Sequence, residues 1–126
     1  MSPPAGAGAV PAGWPAEVRP PGAPQWERSA VNWLLDHCPP DYRGHPVLMR
    51  NPAVLAWLAG HHVEAQGHAM RRAIATARSE LTGLPAPVLR EALDAVETEL
   101  ARTLAAQRAV TLVAQALSGV RFVPRL

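Results

Sequence analysis

The sequence predicts an all-α domain, a long antiparallel helical hairpin covered by a shorter N-terminal helix to make a three-helix bundle. Two long segments, near 52–82 and 87–118, each keep an apolar or small residue every three or four positions, the period of one helical face. The link between them, around Gly83-Leu84-Pro85, is too short for anything but an antiparallel return. No stretch alternates apolar and polar residues with the period of two that a half-buried strand requires.

Residues 1–24 hold much of the proline and glycine of the chain. Proline removes backbone donors and glycine adds entropy to be lost on folding, so neither helix nor ladder is expected there. The segment reads as a disordered arm that folding can dispense with. Trp14 is the exception within it: a large aromatic either folds back onto the domain or meets a partner. Pro21-Gly22-Ala23-Pro24, with Arg19 before it, formally fits a Pro-x-x-Pro docking motif, a match that any proline-rich arm produces freely.

The helical domain is expected over 25–119. Its first helix, about 26–38, sets Trp26, Ala30, Trp33, Leu34 and His37 on one face, and Cys38-Pro39-Pro40 stops it. A loop rich in proline and glycine follows to Pro46. The second helix opens at Asn51 as N-cap with Pro52 at the first helical position. Its seam reads Ala56, Gly60, Val63, Gly67, Met70, Ile74, Ala77 and Leu81, with Leu55, Leu58, His62, Ala69 and Ala73 as a flank beside it. The third helix carries Leu89, Leu93, Val96, Leu100, Thr103, Gln107, Val110, Ala114 and Leu117, and Gly119 is placed to end it. Antiparallel pairing across the short link makes facing positions sum to about 170, so Gly67 faces Thr103 and Met70 faces Leu100. If this seam is buried throughout, Ile74→Ala and Leu100→Ala each cost ~2–5 kcal/mol.

Twelve arginines, no lysine and ten acids leave a net charge of +2. Such a balance, without a clustered excess, argues against a nucleic-acid binder. Arg71, Arg72 and Arg78 form only a modest basic strip. A start without a basic head or continuous apolar run, together with a single cysteine, points to the cytoplasm. No run reaches the ~18 apolar residues of a membrane span.

His61, Glu64 and His68 share one face of the second helix and are the candidate metal residues. Their histidines are seven apart, ~10 Å along the axis, whereas a single zinc ion on a helix wants His-Glu-x-x-His with a separation of four. No metal and no cofactor are therefore expected, and a solvated polar face with an i,i+4 pair is the plainer reading. Cys38 lies at a helix C-terminus, where the dipole disfavours a thiolate. No phosphate-binding loop, nucleotide fingerprint or paired acid motif appears, so no catalytic residue is assigned and no enzyme is expected.

What remains is binding. One short helix covers ~18 Å of a hairpin ~45 Å long, which leaves apolar surface for a protein partner or a second copy. The widened apolar end at Val110, Val113 and Leu117, with Phe122 in the 120–126 tail, is the expected partner-binding surface, and Val113→Asp should weaken association there. The alternative is a metal- or small-ligand-binding bundle that uses the Glu64 and His68 face.

The combination Trp33-Leu34-Leu35-Asp36, Cys38-Pro39-Pro40-Asp41-Tyr42-Arg43, Asn51-Pro52, Val54-Leu55-Ala56 and Phe122-Val123-Pro124-Arg125-Leu126 resembles a family of short actinobacterial helical proteins without assigned function. The resemblance spans residues 26–126 and implies no activity and no site residue.

Overall fold

The computed structural model describes residues 9–123. Its described elements are helical: α1 (Trp26–Asp36), a 3-10 turn (Pro40–Gly44), α2 (Pro46–Arg50), α3 (Pro52–Glu80) and α4 (Ala86–Leu117). No strand occurs among the described residues. The two long seams close into the expected hairpin, and the register is the one that their index sum gives. A methyl group placed on Gly60 would lie 3.8 Å from Val110 Cγ1, and one on Gly67 would lie 3.9 Å from Thr103 Cγ2. Both pairs sum to 170. The glycines therefore leave ordinary contact distance to the facing side chain.

Helix ends follow backbone chemistry. Gly83 takes φ +91° in the hairpin turn, a conformation that glycine adopts without steric cost. At the end of α4, Gly119 has φ +94°. Its N–H donates to Ala116 O at 3.1 Å, while the Val120 N–H donates to Gln115 O at 2.9 Å. These are the two bonds of a Schellman cap. Gly119→Ala is expected to cost about 1–2 kcal/mol, the penalty of a left-handed Cβ, read as a lower urea midpoint at unchanged slope; no shift would mean that the chain end frays.

Asn51 behaves differently from its expected role. It precedes Pro52 as predicted, but its side chain makes no cap bond to α3. Its Nδ2 donates instead to Val47 O at 2.9 Å, a carbonyl that also accepts the Asn51 backbone N–H at 3.1 Å. The 3-10 turn Pro40–Gly44 falls within the expected loop, and α2 occupies the stretch between that loop and α3, with Leu48 buried in the core.

The core gathers at the open end of the hairpin. Ala30, Trp33, Leu34 and Leu35 of α1, Leu55, Ala59 and Val63 of α3, and Val110 and Val113 of α4 are all buried there. Beyond Gly67 and Thr103 no further described element joins the hairpin in the core cluster. Met70, Ile74, Leu89, Val96 and Leu100 are half-buried, and Leu81 is 44% exposed. The seam expected to be buried throughout is thus interrupted: Ala77 and Leu93 are buried in the far half, while Gly60, Gln107 and Ala114 are only half-buried in the near half.

The arm departs from the expected disorder over its described part; residues 1–8 of the expected 1–24 segment lie outside the described residues. Val18 is only 2% exposed and joins the core. Three backbone turns close on proline carbonyls, from Trp14 N–H to Pro11 O, Val18 N–H to Pro15 O and Ala23 N–H to Pro20 O. Proline has lost a donor but keeps its acceptor, so a proline-rich segment that cannot ladder can still turn. The Trp14 indole N–H donates to Val18 O at 2.8 Å, and the Arg19 N–H donates to Ser29 Oγ at 3.0 Å, which ties the arm to α1. Trp14 thus folds back onto its own domain.

Candidate functional site

The hairpin has two faces. One carries α1, α2 and the arm. The other is open, and at its near end a cleft of about 420 Å³ runs between α3 and α4. Ala56, Gly60, Val110 and Ala114 lie along it, and their small side chains let the cleft sink between the helices. Trp57, His61 and Glu64 rise on the α3 side, with Gln107, Thr111 and Gln115 on the α4 side. Trp57 is 64% exposed, and its indole meets the His61 ring edge-on at 5.1 Å. An aromatic of that size ordinarily buries much of its surface. Here it stands at the rim of an apolar recess.

His61, Glu64 and His68 are all exposed on α3. Glu64 Oε1 and His68 Nε2 stand 3.7 Å apart as an i,i+4 pair, while His61 turns to Trp57. Zinc sites draw on three or four protein donors. Among the described residues no group of three His, Cys, Asp or Glu side chains gathers around one point. His62 faces the other way, half-buried, with its ring 6.3 Å from Tyr42 and Nε2 at 3.2 Å from Gln66 Nε2.

Cys38 is a buried free thiol. Burial pushes its pKa up, with Arg43 opposing, so the protonated thiol is favoured. Beside it, burial lowers the His37 pKa, with Asp36 and Glu17 pulling the other way, and the His37 ring packs edge-on to Trp33 at 4.5 Å. A neutral thiol and a packed imidazole do not make a nucleophile and its base.

Of the expected partner-binding surface, two residues lie in the core and two at its edge. Val110 and Val113 are fully inside the core, at 2% and 0% exposure, and Leu117 is half-buried against it. Phe122 is half-buried and meets Trp14 edge-on at 5.8 Å. The surface that one short helix would leave bare is covered by the arm, whose Gly13 approaches Leu112. Val110 and Val113 therefore hold the fold, while Leu117 and Phe122 keep part of their surface exposed. Residues 124–126 of the tail lie outside the described residues.

No helix among the described residues is long and apolar enough to cross a membrane. No family model matches the chain, and neither a curated protein nor a solved structure is found similar to it.

The cleft itself was missed by sequence reasoning. Trp57 stands on the α3 face of His61, Glu64 and His68, which reads from the sequence as a solvated polar stripe. What turns that stripe into a site is α4, whose Thr111 and Gln115 follow from the same register that pairs Gly60 with Val110. The signal was present in the index sum: Trp57 lies opposite Thr111 and Gln115 at sums of 168 and 172.

Proposed function

We propose that this protein acts by binding another protein, without catalysing a reaction, and that the open face of the α3–α4 hairpin is its binding surface. The observation that supports this is Trp57, 64% exposed at the rim of a recess lined by Ala56, Gly60 and Ala114. Interaction energy concentrates in aromatic anchors beside well-packed pockets, and a groove between two helices suits an amphipathic helix. The face has an apolar floor and a polar rim, the usual anatomy of a non-obligate interface. The non-enzymatic reading draws on the inert environment of Cys38 and the scattered histidines.

The experiment compares wild-type protein with Trp57→Glu and, as a control on a distant exposed position, Thr98→Glu. Both variants should keep the helical circular dichroism and melting temperature of wild type, since neither side chain is buried. Association, whether with itself or with a cross-linked protein identified by mass spectrometry, is expected to fall at least about tenfold for Trp57→Glu, the loss of one anchor residue, and to persist for Thr98→Glu. Association that survives Trp57→Glu unchanged would move the interface elsewhere.

A further inference from the structure

Along the open face, residues beside the seam recur every seven positions. On α3 these are Trp57, Glu64, Arg71 and Arg78; on α4 they are Arg90, Glu97, Leu104 and Thr111. Trp57, Glu64 and Thr111 line the near cleft. Arg78, Arg90 and Glu97, with Asp94, line a second recess toward the hairpin tip. Both stripes therefore stay on one face along its whole length. Stripes that flank an apolar seam are where charge decides which helix may pack alongside. Ion pairs among the described residues join Asp36 to Arg43, Glu64 to His68 and Glu99 to Arg102. Arg71, Arg78, Asp94, Glu97 and Arg108 take part in none of these.

Resting on the reading that this face binds protein, we infer that its occupant is a second copy of the chain, related by a two-fold axis parallel to the hairpin, with both tips at the same end. That axis lays α3 of each copy antiparallel over α4 of the other, at the same index sum that holds the hairpin together. Arg71 of one copy then faces Glu97 of the other (168), Arg78 faces Asp94 (172) and Glu64 faces Arg108 (172). These three pairs are of opposite sign, against one like-charge approach of Arg78 to Arg90 (168) at the tip, and symmetry makes each twice. At the near end the two clefts confront each other, so the exposed Trp57 of each copy closes over the recess of the other. A two-fold axis across the hairpin would instead set the apolar cleft against Arg78 and Arg90 at the tip. The half-buried Met70, Ile74, Val96 and Leu100 become the interior of a four-helix bundle, which supplies the far half with the cover it lacks. A face two helices wide and as long as α3 presents roughly 900 Å² per copy, against about 800 Å² per partner in a standard stable interface.

Sedimentation of the full chain at micromolar concentration should give twice 13.4 kDa, with Arg71→Glu and Glu97→Arg each raising the dissociation constant about tenfold, because symmetry repeats each repulsive pair. Combining the two should restore wild-type affinity, which no change in general stability would do. Circular dichroism of each variant checks that the fold is kept. A wild-type monomer throughout overturns the inference; if a different cross-linked protein is still lost with Trp57→Glu, the open face remains a binding surface and only its occupant is wrong. A dimer in which Arg71→Glu is rescued by Glu64→Arg rather than by Glu97→Arg overturns the tip-to-tip arrangement.

Discussion

Val113→Asp is expected to unfold the protein, not to detach a partner from it. Val113 is 0% exposed and packs within the cluster formed by α1, α3 and α4. Among the described residues no buried polar or charged side chain occurs in that cluster, so an introduced carboxylate would find no ion there to pair with. A buried carboxylate without a partner avoids its charge by taking a proton, and the neutral acid still loses hydrogen bonds to water. The shape also changes, since the two valine methyls give way to a planar polar group in a close-packed site. Together these cost several kcal/mol, about the total stability of a small domain at ~5–15 kcal/mol. Far-UV circular dichroism should lose most of its helical signal at neutral pH, with partial recovery in acid as the carboxyl protonates. A variant that melts like wild type would put Val113 on the surface and displace the whole near-end core.

The same contrast between near and far halves shows how far periodicity reaches. The seams and their pairing follow from the sequence because a helix declares its own apolar face, and two faces joined by a short link have one antiparallel register. Gly60 against Val110 and Gly67 against Thr103 are that register realised. Periodicity does not say what lies over a face. Ile74 and Leu100 carry the seam pattern as strongly as Val63, yet they are half-buried and Val63 is fully buried, because α1 and the arm stop short of them. The sequence-based cost of ~2–5 kcal/mol for Ile74→Ala or Leu100→Ala assumes full burial and falls accordingly in a lone chain. The error at Val110 and Val113 has the same root. Counting one short helix as the only cover ignored α2 and an arm that was set aside on composition. Composition reports whether a segment can form ladders; whether a few anchors within it find a pocket depends on the rest of the chain. At the open face the limit was different: Trp57 and Glu64 are legible on α3, but a cleft belongs to two helices, and its α4 wall emerges only when both are taken in register.

Removal of residues 1–23, giving a chain that begins at Pro24, is expected to lower the melting temperature substantially while leaving α1, α3 and α4 helical. Val18 alone contributes about 1.5–3 kcal/mol as a fully buried side chain. Pro15 is buried as well, and Trp14 packs against the core with its indole N–H satisfied by Val18 O. Their neighbours on α1 and α4 would be bared to water. A combined loss of about 3–5 kcal/mol corresponds to a drop of more than about 10 °C for a domain of this size. Thermal denaturation followed at 222 nm reads it directly; an unchanged melting temperature would restore the arm to a dispensable appendage. The arm also reaches the other terminus, through the edge-on contact of Trp14 with Phe122 at 5.8 Å. Truncation therefore strips the tail of its docking surface, and the two ends should behave as one unit. A double-mutant cycle of Trp14→Ala and Phe122→Ala separates this from independent losses. Aromatic pairs of this geometry carry about 0.5–1.5 kcal/mol beyond their burial, so the double variant should lose less than the sum of the singles by that amount. Strict additivity would mean that the tail rests on the arm without stabilising it.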